Sequence, residues 1–420
     1  MRTAATVWRR PFLDVFVAQS FIELADQLLL ITIAWALVSA RSGAQLGVVL
    51  TAWALPKGLF MLFGGVLIDR TDRRLVGIWA SAGIAVVVAA LAIAHVAGSP
   101  SLAFWIVAAV CMGLLDGVRI PIGYALIPLV VAERDVLDAN RWSQLRLWVT
   151  LTLGPALGGV LVGFAGVITS LVVIAVCYLL GGLSMARLPS LGVDREAKSS
   201  VMADLVAGFR LIGQQRTLRL LLPVFAVVNL FVLGVIAVGI PTLVKQALQG
   251  DAAVLGLVMA SFGVGLMVGT ALMGKLPKAL TTSLGGLFTL FALSDAFLAL
   301  TGLAPGAAVA CVTLALSGLF IGPASAIYQS VVQTSTPPAY LGRVTSASRA
   351  ISFALEPVSA SLVGGATRFV SASVVVLAGG LTAACIDVAA LIRGRKLDAA
   401  GGTTLPYAEQ APAESMAPNG

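Results

Sequence analysis

Gly65-Val66-Leu67-Ile68-Asp69-Arg70-Thr71-Asp72-Arg73-Arg74 ends one long apolar run, and the next begins at Leu75. The run before it is about 20 residues long, the length of a membrane-spanning helix. It stops at Asp69, and arginines follow at 70, 73 and 74. Charges at such a boundary cannot lie in hydrocarbon. The stretch therefore reads as a short cytoplasmic turn between two membrane helices.

The rest of the chain repeats this pattern. It has 420 residues, 59% hydrophobic and 11% charged, with a mean hydropathy of +1.00. Soluble domains carry roughly 25% charged residues, so this composition fits only a polytopic helical membrane protein. The apolar runs predict twelve spans, at 12–39, 44–68, 74–97, 102–130, 142–165, 167–187, 218–243, 253–274, 281–302, 306–333, 345–367 and 372–392. Met1 to Pro11 is basic, but the run after it is long and contains acids, so it reads as a first span and not a cleaved leader.

The net charge of +8 could suggest nucleic acid, but its placement argues for a membrane. Of 27 Lys and Arg, twenty fall on the side of the Arg70–Arg74 turn and only Arg41, Lys245 and Arg368 on the other. Lys57, Arg119, Arg146 and Arg349 lie inside spans. That bias places both termini in the cytoplasm, which requires an even number of spans. The four cysteines all lie within spans at no metal-ligand spacing and read as packing residues.

The longest polar stretch, Leu188 to Thr217, separates two sets of six spans. Leu46-Gly47 and Gly65 match Leu255-Gly256 and Gly274 at an offset of 209. Tyr124, Arg141, Arg146 and Pro155 match Tyr328, Arg343, Arg349 and Pro357 at offsets of 202–204. Two such halves are the pattern of parallel repeats about an axis along the membrane normal, with the substrate cavity between them. The predicted organisation is a bundle at 1–187, a cytoplasmic linker at 188–217, a second bundle at 218–393 and a disordered tail at 394–420. Within the linker, Val201, Leu205, Phe209 and Ile212 recur at helical spacing and predict a helix on the cytoplasmic face.

Gly65, Asp69, Arg70, Arg73 and Arg74 resemble the loop 2–3 signature of the major facilitator superfamily, and the resemblance covers about residues 12–393. Asp72 departs from the pattern, where a second glycine is usual. The resemblance implies an all-α fold of twelve transmembrane helices in two pseudo-symmetric six-helix bundles. It also implies that this loop is a conformational latch. Its acid would lie against the start of span 11, near Arg343 to Ser348, and release as the cavity changes sides. A carboxylate at a helix N-terminus gains about 0.3–1 kcal/mol. The second half has Lys278 where Asp69 stands, so the latch is one-sided. Gly154-Pro155-Ala156-Leu157-Gly158-Gly159 in span 5 resembles the antiporter motif of drug-exporting members. The stretch from Pro121 to Arg141 looks like the branch of macrolide-efflux and enterobactin exporters.

Charges inside spans are costly and usually face a cavity or a partner, so they are the candidate site. Glu23, Asp26, Asp116 and Glu356 are proton-coupling candidates, because a carboxylate in a low-dielectric pocket can bind and release a proton. Lys57 and Arg119 could balance these acids or meet an anionic substrate. Lys57–Asp26 and Asp116–Arg119 could equally be ion pairs that hold helices together. On the family arrangement, Asp295 and Asp387 fall on peripheral helices and read as structural. Arg146 and Arg349 are expected to snorkel toward the surface. Trp35, Trp53, Phe60, Phe231, Phe262 and Tyr328 could line an aromatic cavity for a lipophilic guest.

No phosphate-binding glycine loop, HExxH, GxSxG or His/Cys cluster occurs, so an ATP-driven pump or an intrinsic enzyme is not expected, and no cofactor or metal is implied. The expected partners are a small-molecule substrate, protons and the lipid bilayer, with no nucleic acid, around a monomer. The composition, with Arg over Lys at 21 to 6, points to a GC-rich bacterial gene and an inner membrane. The resemblance implies proton-coupled efflux of small amphiphilic drugs or metabolites. Export of an anionic metabolite or siderophore, or lysophospholipid flipping, remain as alternatives.

Overall fold

The computed structural model describes residues 8–69, 72–132, 135–188, 201–336 and 340–399. Fourteen α-helices follow one another. They are α1 (Arg10–Ala40), α2 (Gly43–Asp69), α3 (Arg73–Val96), α4 (Leu102–Val130), α5 (Val136–Ala186), α6 (Val201–Gln214), α7 (Arg216–Gly234), α8 (Ile240–Gln246), α9 (Ala252–Ala271), α10 (Lys278–Thr281), α11 (Leu284–Thr301), α12 (Ala307–Thr334), α13 (Leu341–Ala366) and α14 (Ala372–Ala399). No strand occurs among the described residues.

Ten helices in this set are long and apolar enough to cross a membrane. Two features account for the difference from twelve. The first is α13, whose sequence is less apolar and includes Arg343, Arg349 and Glu356. The second is α5, a run of 51 residues interrupted at Gly166, where φ is +78° and ψ is 171°. A straight helix of that length would be more than twice the ~30 Å thickness of the hydrocarbon core. The contacts show a reversal instead. Arg146, Gly154 and Gly158 meet Glu23, Gln27 and Ile31 of α1, rising together along both helices. Beyond Gly166 the order inverts: Tyr178 meets Asp26, and Gly181 meets Ile22. The element is therefore a hairpin of two helices. Its corner needs a backbone conformation that only glycine adopts cheaply.

The halves join along two matching crossings. At α2 and α13, a Cβ on Gly47 would stand 2.6 Å from the Ala360 carbonyl oxygen and 2.9 Å from Gly364 Cα. At α5 and α9, a Cβ on Gly159 would stand 2.5 Å from the Ala252 carbonyl oxygen and 2.6 Å from Gly256 Cα. Backbones this close pack by van der Waals contact alone, and any side chain at the crossing would push the helices apart. Gly47 and Gly256 are the matched pair of the duplication. Both crossings lie at the end of the bundle away from the chain termini. There the Lys245 ammonium also sits 5.0 Å over the Trp35 ring.

At the end nearer the termini, each half anchors its third span. Asp72 caps α3 by accepting from the Arg74 N–H at 2.9 Å, which explains an acid where the family has glycine. The Arg74 guanidinium donates to the Ala186 carbonyl at the end of α5. In the second half Ser283 caps α11 at 2.9 Å, and Asp398 accepts from the Leu284 and Gly285 N–H groups. This anchor corrects the expected tail: residues 394–399 are helical and continue α14. In α6, Ile212 is buried against Leu218 and Leu222 while Phe209 is exposed.

Candidate functional site

The spans enclose a central cavity of about 250 Å³, lined from both halves. Asp26, Gln27 and Leu30 come from α1; Leu50, Trp53 and Lys57 from α2; Asp116, Arg119 and Ile120 from α4; and Glu356 and Ala360 from α13. Leu233 of α7 and Ala237 complete the wall. A second cavity of about 490 Å³ shares Asp26, Gln27, Arg119 and Ile120 and extends past Glu23 and Arg146 to Asn140 and Ser143. The two therefore form one path toward the end of the bundle that holds the termini.

Arg119 organises the centre. Its guanidinium donates to both oxygens of Asp26 at 2.9 and 3.0 Å, and to Asp116 Oδ1 at 2.6 and 3.0 Å. The Tyr178 hydroxyl donates to Asp26 Oδ1 at 2.5 Å, and the Trp53 indole donates to Asp116 Oδ2 at 2.9 Å. The Asp116 side chain is 5% exposed and that of Asp26 is 28% exposed, so of the two acids on Arg119 it is Asp26 that is more open to the cavity. Asp116 and Arg119 share one helix face three positions apart, which is why this pair forms locally.

Two further ion pairs complete the network. Lys57 meets Glu356 at 2.7 Å, with the Glu356 side chain 38% exposed. This corrects the expected Lys57–Asp26 pair: Arg119 occupies Asp26, and Lys57 turns across the interface to the other half. Arg146 meets Glu23 at 2.9 Å and lies 5.6 Å over the Phe16 ring. It is therefore a buried partner and not a snorkelling side chain. Among the described residues, four carboxylates (Glu23, Asp26, Asp116, Glu356) face three cations (Lys57, Arg119, Arg146). The surplus is local, because Arg119 alone serves two acids.

Of the expected aromatic lining, only Trp53 lines the central cavity. Trp35 lies under Lys245, and Tyr328 stacks on Phe225 at 4.3 Å and bonds Ser348 at 3.2 Å inside the second half. Gly154 and Gly158 press α5 onto α1 beside the cavity, and Gly159 faces α9, so the Gly154–Pro155–Gly158–Gly159 segment is where α5 meets both neighbours. Gly65 and Asp69 lie in the last turns of α2, but their side chains, like that of Arg343, fall outside the described residues, as does Arg70. Arg73 and Arg74 open α3.

One feature was missed in the sequence. Between α7 and α8 the chain makes a π-helical stretch, Val235–Gly239. The Gly234 N–H bonds the Ser359 hydroxyl of α13 at 2.6 Å. Such wide turns occur frequently at functional sites, and Ala237 of this one lines the cavity. Gly234, Gly239 and Pro241 were its available signal.

Two helical bundles around a charged central cavity define a membrane transporter of the major facilitator class, not an enzyme. The chain belongs to the MFS_3 family, described as transmembrane secretion effector, whose family model matches residues 4–402. It is similar to the enterobactin exporter EntS of Escherichia coli O1:K1 / APEC, 28% identical over 332 residues and 76% of each chain. The EntS of Escherichia coli O127:H6 (strain E2348/69 / EPEC) is 29% identical over the same shares. In fold it is similar to the crystal structure of an auto-inhibited POT family peptide transporter, with a TM-score of 0.72, 13% identity and coverage of 92% of this chain and 97% of that one.

Proposed function

We propose that this protein exports a small amphiphilic compound in exchange for protons, by rocking its two halves about the central cavity in a bacterial inner membrane. The observation that supports this most is the sharing of Arg119 between Asp26 and Asp116. One guanidinium neutralises only one of the two carboxylates. The remaining charge is taken up by a proton or by a cationic or polar group of the substrate, but not by both at once. That competition is the requirement for exchange. Asp26 is the coupling acid, since it is the more exposed of the two on Arg119; Asp116 is fixed by Trp53. Leu30, Leu50, Ile120, Leu233 and Trp53 supply apolar contact for the rest of the guest. The Lys57–Glu356 bridge spans both halves and must break or rotate as they rock. The excess of Lys and Arg on one side supports cytoplasmic termini, which makes the path past Glu23 and Arg146 the cytoplasmic entrance.

A second reading follows from the relatives named enterobactin exporters: an anionic metabolite or siderophore that takes Lys57 from Glu356. A panel of neutral, cationic and anionic compounds tested in proteoliposomes with an internal pH dye separates the two. Proton exchange is expected with the wild type and is lost in Asp26→Asn. If Asp26→Asn exports with unchanged pH dependence, coupling through Asp26 is wrong. If Lys57→Ala loses only anionic substrates, the second reading replaces the first.

A further inference from the structure

The core of the second half holds two acids that the cycle proposed above does not use. Asp295 of α11 and Asp387 of α14 are 2% and 1% exposed, and their carboxyls lie within hydrogen-bond reach of each other. Each keeps an Oδ2 with no hydrogen-bond partner. Both residues line a cavity of about 30 Å³, room for one water, whose other walls include Phe225, Phe291, Ile321 and Asn229.

Among the described residues, the groups that line the pocket beside the pair are neutral. From α7 the polar neighbour is Asn229. From α12, Ser317 bonds Ser294 at 3.2 Å beside Asp295, and the Tyr328 phenol is turned to Ser348. On α14 the titratable group nearest to Asp387 in sequence is Cys385, which is exposed. Among the described residues no lysine, arginine or histidine forms an ion pair with either acid. Two carboxylates in contact, walled by aromatic and aliphatic side chains, cannot both ionise. A hard metal cation does not resolve this, because it needs six or so oxygen ligands and this wall offers few beyond two carboxyls and one amide.

We infer that Asp295 and Asp387 hold one proton between them at neutral pH and form a second proton-binding site, in the half opposite Asp26. Helix α7 is the wall common to both sites: Asn229 faces the acid pair, and Leu233, one turn on, faces the central cavity. A proton entering or leaving the pair thus acts on a helix that also bounds the substrate path.

Infrared spectroscopy of the full chain in lipid nanodiscs tests this without any transport assay, so its outcome is separable from that of proton exchange at Asp26. At neutral pH the wild type is expected to show a protonated-carboxylic C=O stretch, shifted in heavy water. Measured in an Asp26→Asn background, so that the central acid adds nothing to the band, the further change Asp295→Asn/Asp387→Asn should remove one acid equivalent of it. Asp295→Ser/Asp387→Ser in the same background decides the matter if the Asn pair fails to fold. A wild-type spectrum with no such band overturns the inference. So does a band that keeps its intensity when both acids are replaced, or one abolished by sodium or calcium, which would mark a metal site.

Discussion

The two halves hold their buried acids in opposite ways. In the first, Asp26, Asp116 and Glu23 each meet a guanidinium, and the set lines the central cavity and the one that continues from it. In the second, Asp295 and Asp387 meet each other, and a pocket of only about 30 Å³ adjoins them. The backbones have diverged far less. The glycine crossings match, Asp72 and Ser283 cap the corresponding third spans, and Asn229 follows Asp26 at an offset of 203. Duplication thus retained the close helix contacts while the ionisable groups were redistributed. Where the first half has Asp26 the second has Asn229, so the second half brings only Glu356 of these acids to the central cavity and holds Asp295 and Asp387 behind α7.

The largest expected effect breaks the first half's arrangement. Arg119→Gln leaves two buried carboxylates without a cation and should cost about 3–5 kcal/mol in reversible unfolding in mixed micelles. The triple variant Arg119→Gln/Asp26→Asn/Asp116→Asn should recover most of it. If it does not, Arg119 is a packing residue and the contrast between the halves weakens. Next come the crossings. Gly159→Ala and Gly47→Ala each place a methyl against backbone, and overpacking of this kind costs about 1–3 kcal/mol. Equal losses for the two are expected, and unequal ones would show that one crossing bears more of the contact between halves. Removing the caps by Asp72→Ala or Ser283→Ala should cost about 1 kcal/mol each by the same measurement. Smallest is Lys57→Ala. With Glu356 partly exposed, the bridge contributes up to about 1 kcal/mol, and the swap Lys57→Glu/Glu356→Lys should restore it.

The spans, their pairing into halves and the Asp116–Arg119 contact were legible because each depends on local sequence: length, order and a three-residue spacing. The other ion pairs were not. Lys57 and Glu356 are 299 positions apart, and Glu23 and Arg146 are 123 apart. Their pairing depends on how each helix is rotated about its axis. Helices such as α1 and α2 are apolar on nearly every face, so no polar stripe sets that rotation in advance. The same lack of phase hid Asp295 facing Asp387, and it led to Trp35 and Tyr328 being read as cavity residues. The role of Asp72 was legible in principle, since an acid just before an apolar run is a helix-start signal. Its reading as a departure from a family pattern obscured that.

The corner at Gly166 has a consequence for biogenesis. Two crossings joined by a single residue leave no loop that could wait in water while the second helix is made. The first arm, Val136 to Ala165, cannot settle across the bilayer until enough of the second has left the ribosome to follow it. The two arms must therefore enter the lipid as a pair. A substitution that stiffens this corner, such as Gly166→Val, should appear first as failed insertion, before any property of the finished transporter is touched.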